Sequence, residues 1–322
     1  MPRNPLKSSH HSIRSASLKG LFGLLLVLCT HLLEGQERFE SFLSPAEELN
    51  ERRVRSVAIG AGVVFTTSMI GLNELWYANQ PRSSFHFFND NADWLQMDKA
   101  GHTYSGYQLA RLGAQSLRWA GVDQRPAMWW GSAYSLLFLM GIEVLDGFSE
   151  AWGFSPGDAA ANVVGVGFFV AQESLLQEQR VALKFGFMRS GFTQYRPETL
   201  GSNRLEEVFK DYNSQRYWLS INPSSFGLKP LNIAPWLNIA VGYSAHGMLG
   251  GTENPTVNAH GERIPEFDRY RQGFLSLDVD FTRIPTDKAW LKTLFFMLNM
   301  IKMPAPALEL SRGSFRWHWL FV

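Results

Sequence analysis

Between Asp98 and Gly165 the chain sets out side chains whose types and spacing suit chemistry. Asp98-Lys99-x-x-His102 comes first, Glu143-x-x-Asp146 next, and Ser155-x-x-Asp158-x-x-x-Asn162-x-x-Gly165 last. Three roles fit them. In a structural role, Asp98 caps one helix, Ser155 and Asp158 cap another, and His102 hydrogen-bonds Glu143 or Asp146. In a metal role, His102 with Glu143 and Asp146, joined by Asp98 and Asp158, offers one nitrogen and several oxygens to a divalent cation. A second histidine at ligand spacing, as in H-E-x-x-H, is missing. In an acid–base or recognition role, His102 is the base, a carboxylate orients it, and Lys99 meets an anionic head group.

These residues need elements to hold them. Ser44-Pro45-x-Glu47 predicts a helix start, and the uncharged stretch Val57–Leu72 predicts a buried or membrane-interfacial helix. Asn79-Gln80-Pro81 breaks it, and an aromatic loop around Phe85–Phe88 with a turn at Asn89-Asp90-Asn91 follows. Asp98 reads as the N-cap of a second helix that ends at Gly121, with His102 one turn along from it. A third helix from Pro126 is uncharged through Ile142 and then presents Glu143 and Asp146. Ser155-Pro156-Gly157-Asp158 opens a fourth, on which Asp158, Asn162, Gly165 and Phe169 share one face.

The three pieces in this order resemble the YfiM-type domain of bacterial lipoproteins and envelope proteins. They are more distantly similar to the VanZ-like membrane family, which usually carries Gln where Asp146 stands. The resemblance covers about residues 95–175 and implies an envelope protein. It carries over no catalytic residue.

From about Arg180 the spacing changes to alternation. Leu183/Phe185/Phe187, Leu237/Ile239/Val241/Tyr243, Leu275/Leu277/Val279/Phe281 and Phe315/Trp317/Trp319/Phe321 each alternate with small or polar residues, and 217–221 reads as another strand. Apolar-out, polar-in strands with aromatic ends fit a barrel-like or half-barrel wall. Residues 286–302 read as a helix and 245–270 as a long polar loop. Asp278 and Asp280 read as a solvated pair, and His260 as exposed.

Composition narrows the function classes. A net charge of +1 leaves no electrostatic footprint for nucleic acid. P-loop, Rossmann and nucleophile-elbow patterns are missing. Arg3, Lys7, Arg14 and Lys19, then the apolar run Leu21–Leu28, predict an export leader over residues 1–35. The only cysteine, Cys29, follows Leu28 rather than the small residue that lipidation wants, so the mature chain is expected to hold no thiol. The expectation is an exported α+β protein, periplasmic or outer-membrane associated. A membrane-associated bundle of about four helices spans 37–180, and an antiparallel β-rich part spans 181–322. The expected partners are membrane lipid or other envelope components. The acidic–histidine cluster organises helix packing or binds a lipid or cell-wall precursor head group. The alternative is a metal-dependent or acid–base enzyme acting on an envelope lipid. Nothing in the sequence sets an oligomeric state.

Overall fold

The computed structural model describes residues 38–74, 81–227 and 234–322. The leader expected over 1–35, with Cys29, lies outside the described residues. Two compact units divide the chain. The smaller includes the described residues 38–44 and Thr286–Thr293, tied within itself by the Ala289 N–H donating to Glu40 at 2.6 Å. The larger, Pro45–Pro285 with Leu294–Val322, holds the sheet and the helices between residues 51 and 210.

Helix α1 runs Glu51–Leu72. Its cap is Asn50, whose side chain accepts from the Arg53 N–H at 3.1 Å, so the start expected at Ser44 is corrected. None of its residues is buried. Helices α2 (Met97–Trp119), α3 (Gln124–Asp146) and α4 (Pro156–Leu175) pack on one another around Tyr107, Ala110, Ala114, Met128, Val166 and Phe169. Of the expected bundle, these three therefore form the packed core. Glycine sets how closely α2 and α4 approach. A Cβ on Gly165 would stand 2.0 Å from the Thr103 carbonyl oxygen, and one on Gly106 would stand 2.7 Å from that of Asn162.

Strands β1 (Val181–Phe187), β2 (Gln215–Ile221), β3 (Leu237–His246), β4 (Tyr270–Val279), β5 (Ala305–Ser311) and β6 (Ser314–Phe321) form one antiparallel sheet in sequence order. No ladder joins β1 to β6 among the described residues, so the sheet is open and the barrel expectation is corrected. Part of the free edge of β1 is covered instead. The Phe185 N–H donates to Met300 O at 3.0 Å, and the Lys302 N–H donates to Phe185 O at 2.9 Å. Helix α5 (Arg204–Lys210) lies between β1 and β2, and α6 (Ala289–Leu298) between β4 and β5. Strand β5 was not expected: its Pro304 and Pro306 hide the alternation of Ala307, Leu308, Glu309 and Leu310.

The covered face of the sheet joins an apolar cluster, Trp218, Ala240, Phe274, Ala307 and Phe321, to buried polar groups. Lys184 Nζ lies 2.8 Å from Asp278 Oδ2, the Ser220 hydroxyl donates to that oxygen at 2.6 Å, and Asn238 donates to Ser220 at 2.9 Å. Asp278 and Asp280 are both buried, which corrects the expectation of a solvated pair. Desolvating a carboxylate is costly unless a cation and donors meet it, and here Lys184 does.

Before α2 the chain makes a tight turn, Asp93–Gln96, in which Trp94, Leu95 and Gln96 hold φ of 49°, 50° and 64°. Non-glycine residues pay steric strain in that region. Contacts from the strand half hold it there. The Trp94 N–H donates to Gly251 O at 2.8 Å, the Tyr243 hydroxyl donates to Leu95 O, and Arg271 donates to the Gln96 side chain.

Candidate functional site

The left-handed turn decides where Asp98 points. Gln96, not Asp98, stands at the N-cap position of α2, and it makes no side-chain cap bond. This corrects the capping role expected for Asp98. Its carboxylate accepts the Tyr212 hydroxyl instead and lies 3.3 Å from Lys99 Nζ and 3.7 Å from His102 Nε2.

At the start of α4, Ser155 does cap. Its Oγ accepts the Asp158 N–H at 3.0 Å and donates to Asp90 Oδ1 at 2.6 Å. The Asp158 side chain does not return to the cap. It meets Lys99 Nζ at 2.7 Å and faces His102 Nε2 at 3.6 Å. Lys99 also reaches Asp90 Oδ1 at 2.7 Å. Its ammonium is thus held among three carboxylates, and the anionic head group expected for it has no free amine to meet.

His102 is the centre of the arrangement. Its Nδ1 hydrogen-bonds Asn162 Oδ1 at 3.0 Å. An amide oxygen only accepts, so Nδ1 carries a proton. The other nitrogen, Nε2, then looks at carboxylate oxygens of both Asp98 and Asp158. Glu143 approaches Nδ1 at 3.5 Å. Asn162 is 0% and Glu143 1% exposed, yet Asn162 Nδ2 and both Glu143 oxygens make no hydrogen bond. Buried polar atoms are rarely left so.

The charges shift the ionisations. Burial opposes the imidazolium of His102, but Asp98, Asp158 and Glu143 outweigh it and raise its pKa. Burial, then the Asp98 charge, pushes Asp158 up to about 8. Burial pushes Glu143 up to about 7. Asp98 loses solvent too, but His102, Lys99 and the Tyr212 hydrogen bond leave it below its usual range.

Asp98, His102, Asp146 and Asp158 open on a cavity of about 580 Å³. Leu139, Ile142, Trp94, Trp152 and Phe185 give it apolar walls. Of the residues expected to form a site, Asp98, Lys99, His102, Glu143, Asp158 and Asn162 come together around the imidazole, and Asp146 lines the same cavity. Asp98, His102 and Asp158 each place one ligand atom within 4.8 Å of the others. That set differs from His102 with Glu143 and Asp146, named as the metal candidates from sequence. Two members were not foreseen. Asp90 reads as a turn residue in Asn-Asp-Asn, and Tyr212 sits in the strand half, 114 residues after Asp98. No local pattern marks either as a partner of the motif.

Residues 85–174, a minority of the 322-residue chain, match the model of a family described as "Predicted periplasmic lipoprotein (DUF2279)". The match spans α2, α3 and α4 with the loop that carries Asp90. It supports an exported protein, periplasmic or associated with the outer membrane, in agreement with the leader-like N-terminus. No curated protein matches the chain, and no solved structure does.

Proposed function

We propose that this envelope protein holds a divalent cation between Asp98, His102 and Asp158, and that the cation grips the head group of an amphiphile seated in the adjoining cavity. One observation carries the reading: His102 Nε2 faces carboxylate oxygens at 3.7 and 3.6 Å while Nδ1 is committed to Asn162. Nε2 in that position needs positive charge between it and the carboxylates, either a cation bound by the neutral ring or its own proton, which the raised pKa favours where no cation is bound. The spacing suits a metal ion. Ligands at about 2.1 Å from a tetrahedral centre stand roughly 3.5 Å apart. Asn162 fixes the tautomer of the ligand histidine, as a neighbouring hydrogen bond does in metal sites generally.

The cavity supports the rest of the reading. Its volume is in the range of small-molecule sites, with polar groups on one side and aromatic and aliphatic walls on the other. A molecule with a polar head and an apolar tail matches both surfaces. The YfiM-type resemblance bears on the same three helices and is consistent with a role at the envelope.

A second reading has its own observation. Lys99 Nζ already sits 2.7 Å from Asp158 Oδ1 and supplies positive charge there. In that reading His102 is an imidazolium, with no metal, and serves as an acid toward a bound head group.

The test is metal content and thermal stability of the purified full-length chain. Tm is expected to rise with at least one of Mg2+, Mn2+, Ca2+ or Zn2+, and the rise is expected to vanish in His102→Asn and Asp158→Asn. No retained metal and no shift with any of the four overturns the cation reading and leaves the imidazolium one.

A further inference from the structure

The sheet leaves a broad apolar face uncovered. Directly paired residues form rows across it. One row is Leu183, Leu219, Val241, Leu275, Leu308 and Trp317. Beside it, Val181, Ile221, Ile239 and Leu277 make a second on the same face. A third is Phe185, Tyr217, Tyr243, Gly273, Leu310 and Phe315. The opposite face reads Lys184, Trp218, Gly242, Phe274, Glu309 and Arg316.

Burial does not follow these types alone. Lys184, Asp278 and Glu309 are buried, while Val241 is 46%, Leu275 52% and Trp317 52% exposed. An antiparallel sheet with one face in water buries its apolar face and wets its polar one. This sheet buries one face, where Trp218, Ala240, Phe274, Ala307 and Phe321 pack beside Lys184, Asp278 and Glu309, and leaves the more uniformly apolar face uncovered. At the β1 end the apolar rows are covered: Leu183 packs on the helical core, and Phe185 and Tyr217 stack with Tyr104. From β3 to β6 they are bare except at Tyr243, which packs on the Met97 cluster and donates to Leu95 O.

We propose that this bare face lies in the hydrocarbon of a lipid layer. The alternation of apolar-out and polar-in is the pattern of a sheet whose solvent is lipid. A protein partner's footprint would carry a polar rim among its apolar contacts. Here the outward positions of β4 between Arg271 and the strand end are Gly273, Leu275, Leu277 and Val279, with no charge among them. Trp319 on β6, of a side-chain type that favours the lipid–water boundary, is 80% exposed. Helix α1, with no buried residue, exposes Ile59, Val63, Val64 and Ile70, so the helical half offers apolar surface as well.

The depth is limited. The outward positions of β4 from Gly273 to Val279 span six residue steps, about 20 Å along a strand at roughly 3.3 Å per residue. The hydrocarbon of a bilayer is about 30 Å thick. The face is too short to cross it.

The experiment uses full-length protein purified in a mild detergent and diluted into phosphatidylcholine vesicles, which carry no net charge. Wild type is expected to float with the vesicles, and to do so equally in 1 M salt. The double variant Val241→Lys/Leu275→Lys, altered only at exposed positions, is expected to float at least tenfold less with an unchanged Tm in detergent. Should that variant fold poorly, Leu275→Cys in a Cys29→Ser background, labelled with an environment-sensitive dye, gives a second readout. Its emission is expected to shift to the blue with vesicles, while a label at His260→Cys on the exposed loop does not shift. Wild type left at the bottom of the gradient, or a 275 label that stays water-like, overturns the proposal. So does a double variant that floats like wild type while a dimer falls to monomer, an outcome that assigns the face to a second copy of this chain.

Discussion

A Cβ placed on Gly165 would lie 2.0 Å from the carbonyl oxygen of Thr103. That closeness lets Asn162, one turn earlier on α4, reach His102, the residue before Thr103 on α2. Gly165→Ala is expected to force the helices apart. Backbone cannot give way as a side-chain tip can, so the cost is expected at the upper end of overpacking, about 3 kcal/mol. Denaturant unfolding measures it. Retained stability with an unchanged histidine environment by NMR would contradict the account.

The Lys184–Asp278 pair is buried on both sides. Lys184→Met leaves the carboxylate with fewer partners and is expected to cost about 3–5 kcal/mol. The double variant Lys184→Met/Asp278→Leu is expected to recover much of that loss, because an apolar pair of similar size needs no counter-charge. The comparison of single and double unfolding free energies decides it.

Lys302 gives a pH signature. Burial lowers its pKa to about 8, against the Asp278 charge that favours its ammonium. An unfolded lysine titrates higher, so between about pH 8 and 10 the unfolded chain holds more of this proton and stability gains as pH rises. Below about 8 both states are charged and the penalty is constant. Relative to Lys302→Met, wild type is therefore expected to gain stability from pH 8 to pH 10. A flat difference between their urea midpoints over that range would refute the assignment.

Tyr212→Phe removes the hydroxyl that donates to Asp98. The loss is expected to be about 1.5–3 kcal/mol, the range of a hydrogen bond to a charged group. The Asp98 pKa is expected to rise, and cation affinity to fall, since the carboxylate loses a fixed donor that orients it. NMR titration of Asp98 follows the first effect and thermal shift with metal the second.

Legibility from sequence followed locality. Helices α2 to α4 and the apolar-out strands were visible because each rests on its own periodicity. The motif residues were visible for the same reason: Asp98, Lys99 and His102 share one turn, and Asp158 and Asn162 share another. What decides their roles is not local. Asp98 looked like a cap because an acid before an apolar helix commonly is one, but the left-handed turn at Trp94–Gln96 moves the helix start ahead of it. Nothing in that tripeptide predicts positive φ, since it is imposed by Tyr243, Gly251 and Arg271. Asp278 looked solvated because alternation shows two faces without showing which is covered. Lys184, nearly a hundred residues earlier, settles it.

The strained turn before α2 has a consequence for timing. Its anchor to Tyr243 closes a span of 148 residues. Contacts that distant form late, after the loop-closure entropy between them has been met. A chain emerging N-terminus first presents α2, α3 and α4 before β3 exists. Until β3 arrives the turn has nothing to hold it, and Asp98 and its neighbours have no fixed aim. A chain cut short after α4 keeps the motif residues but lacks Tyr243, Gly251 and Arg271, which hold the turn, and Tyr212, which holds Asp98.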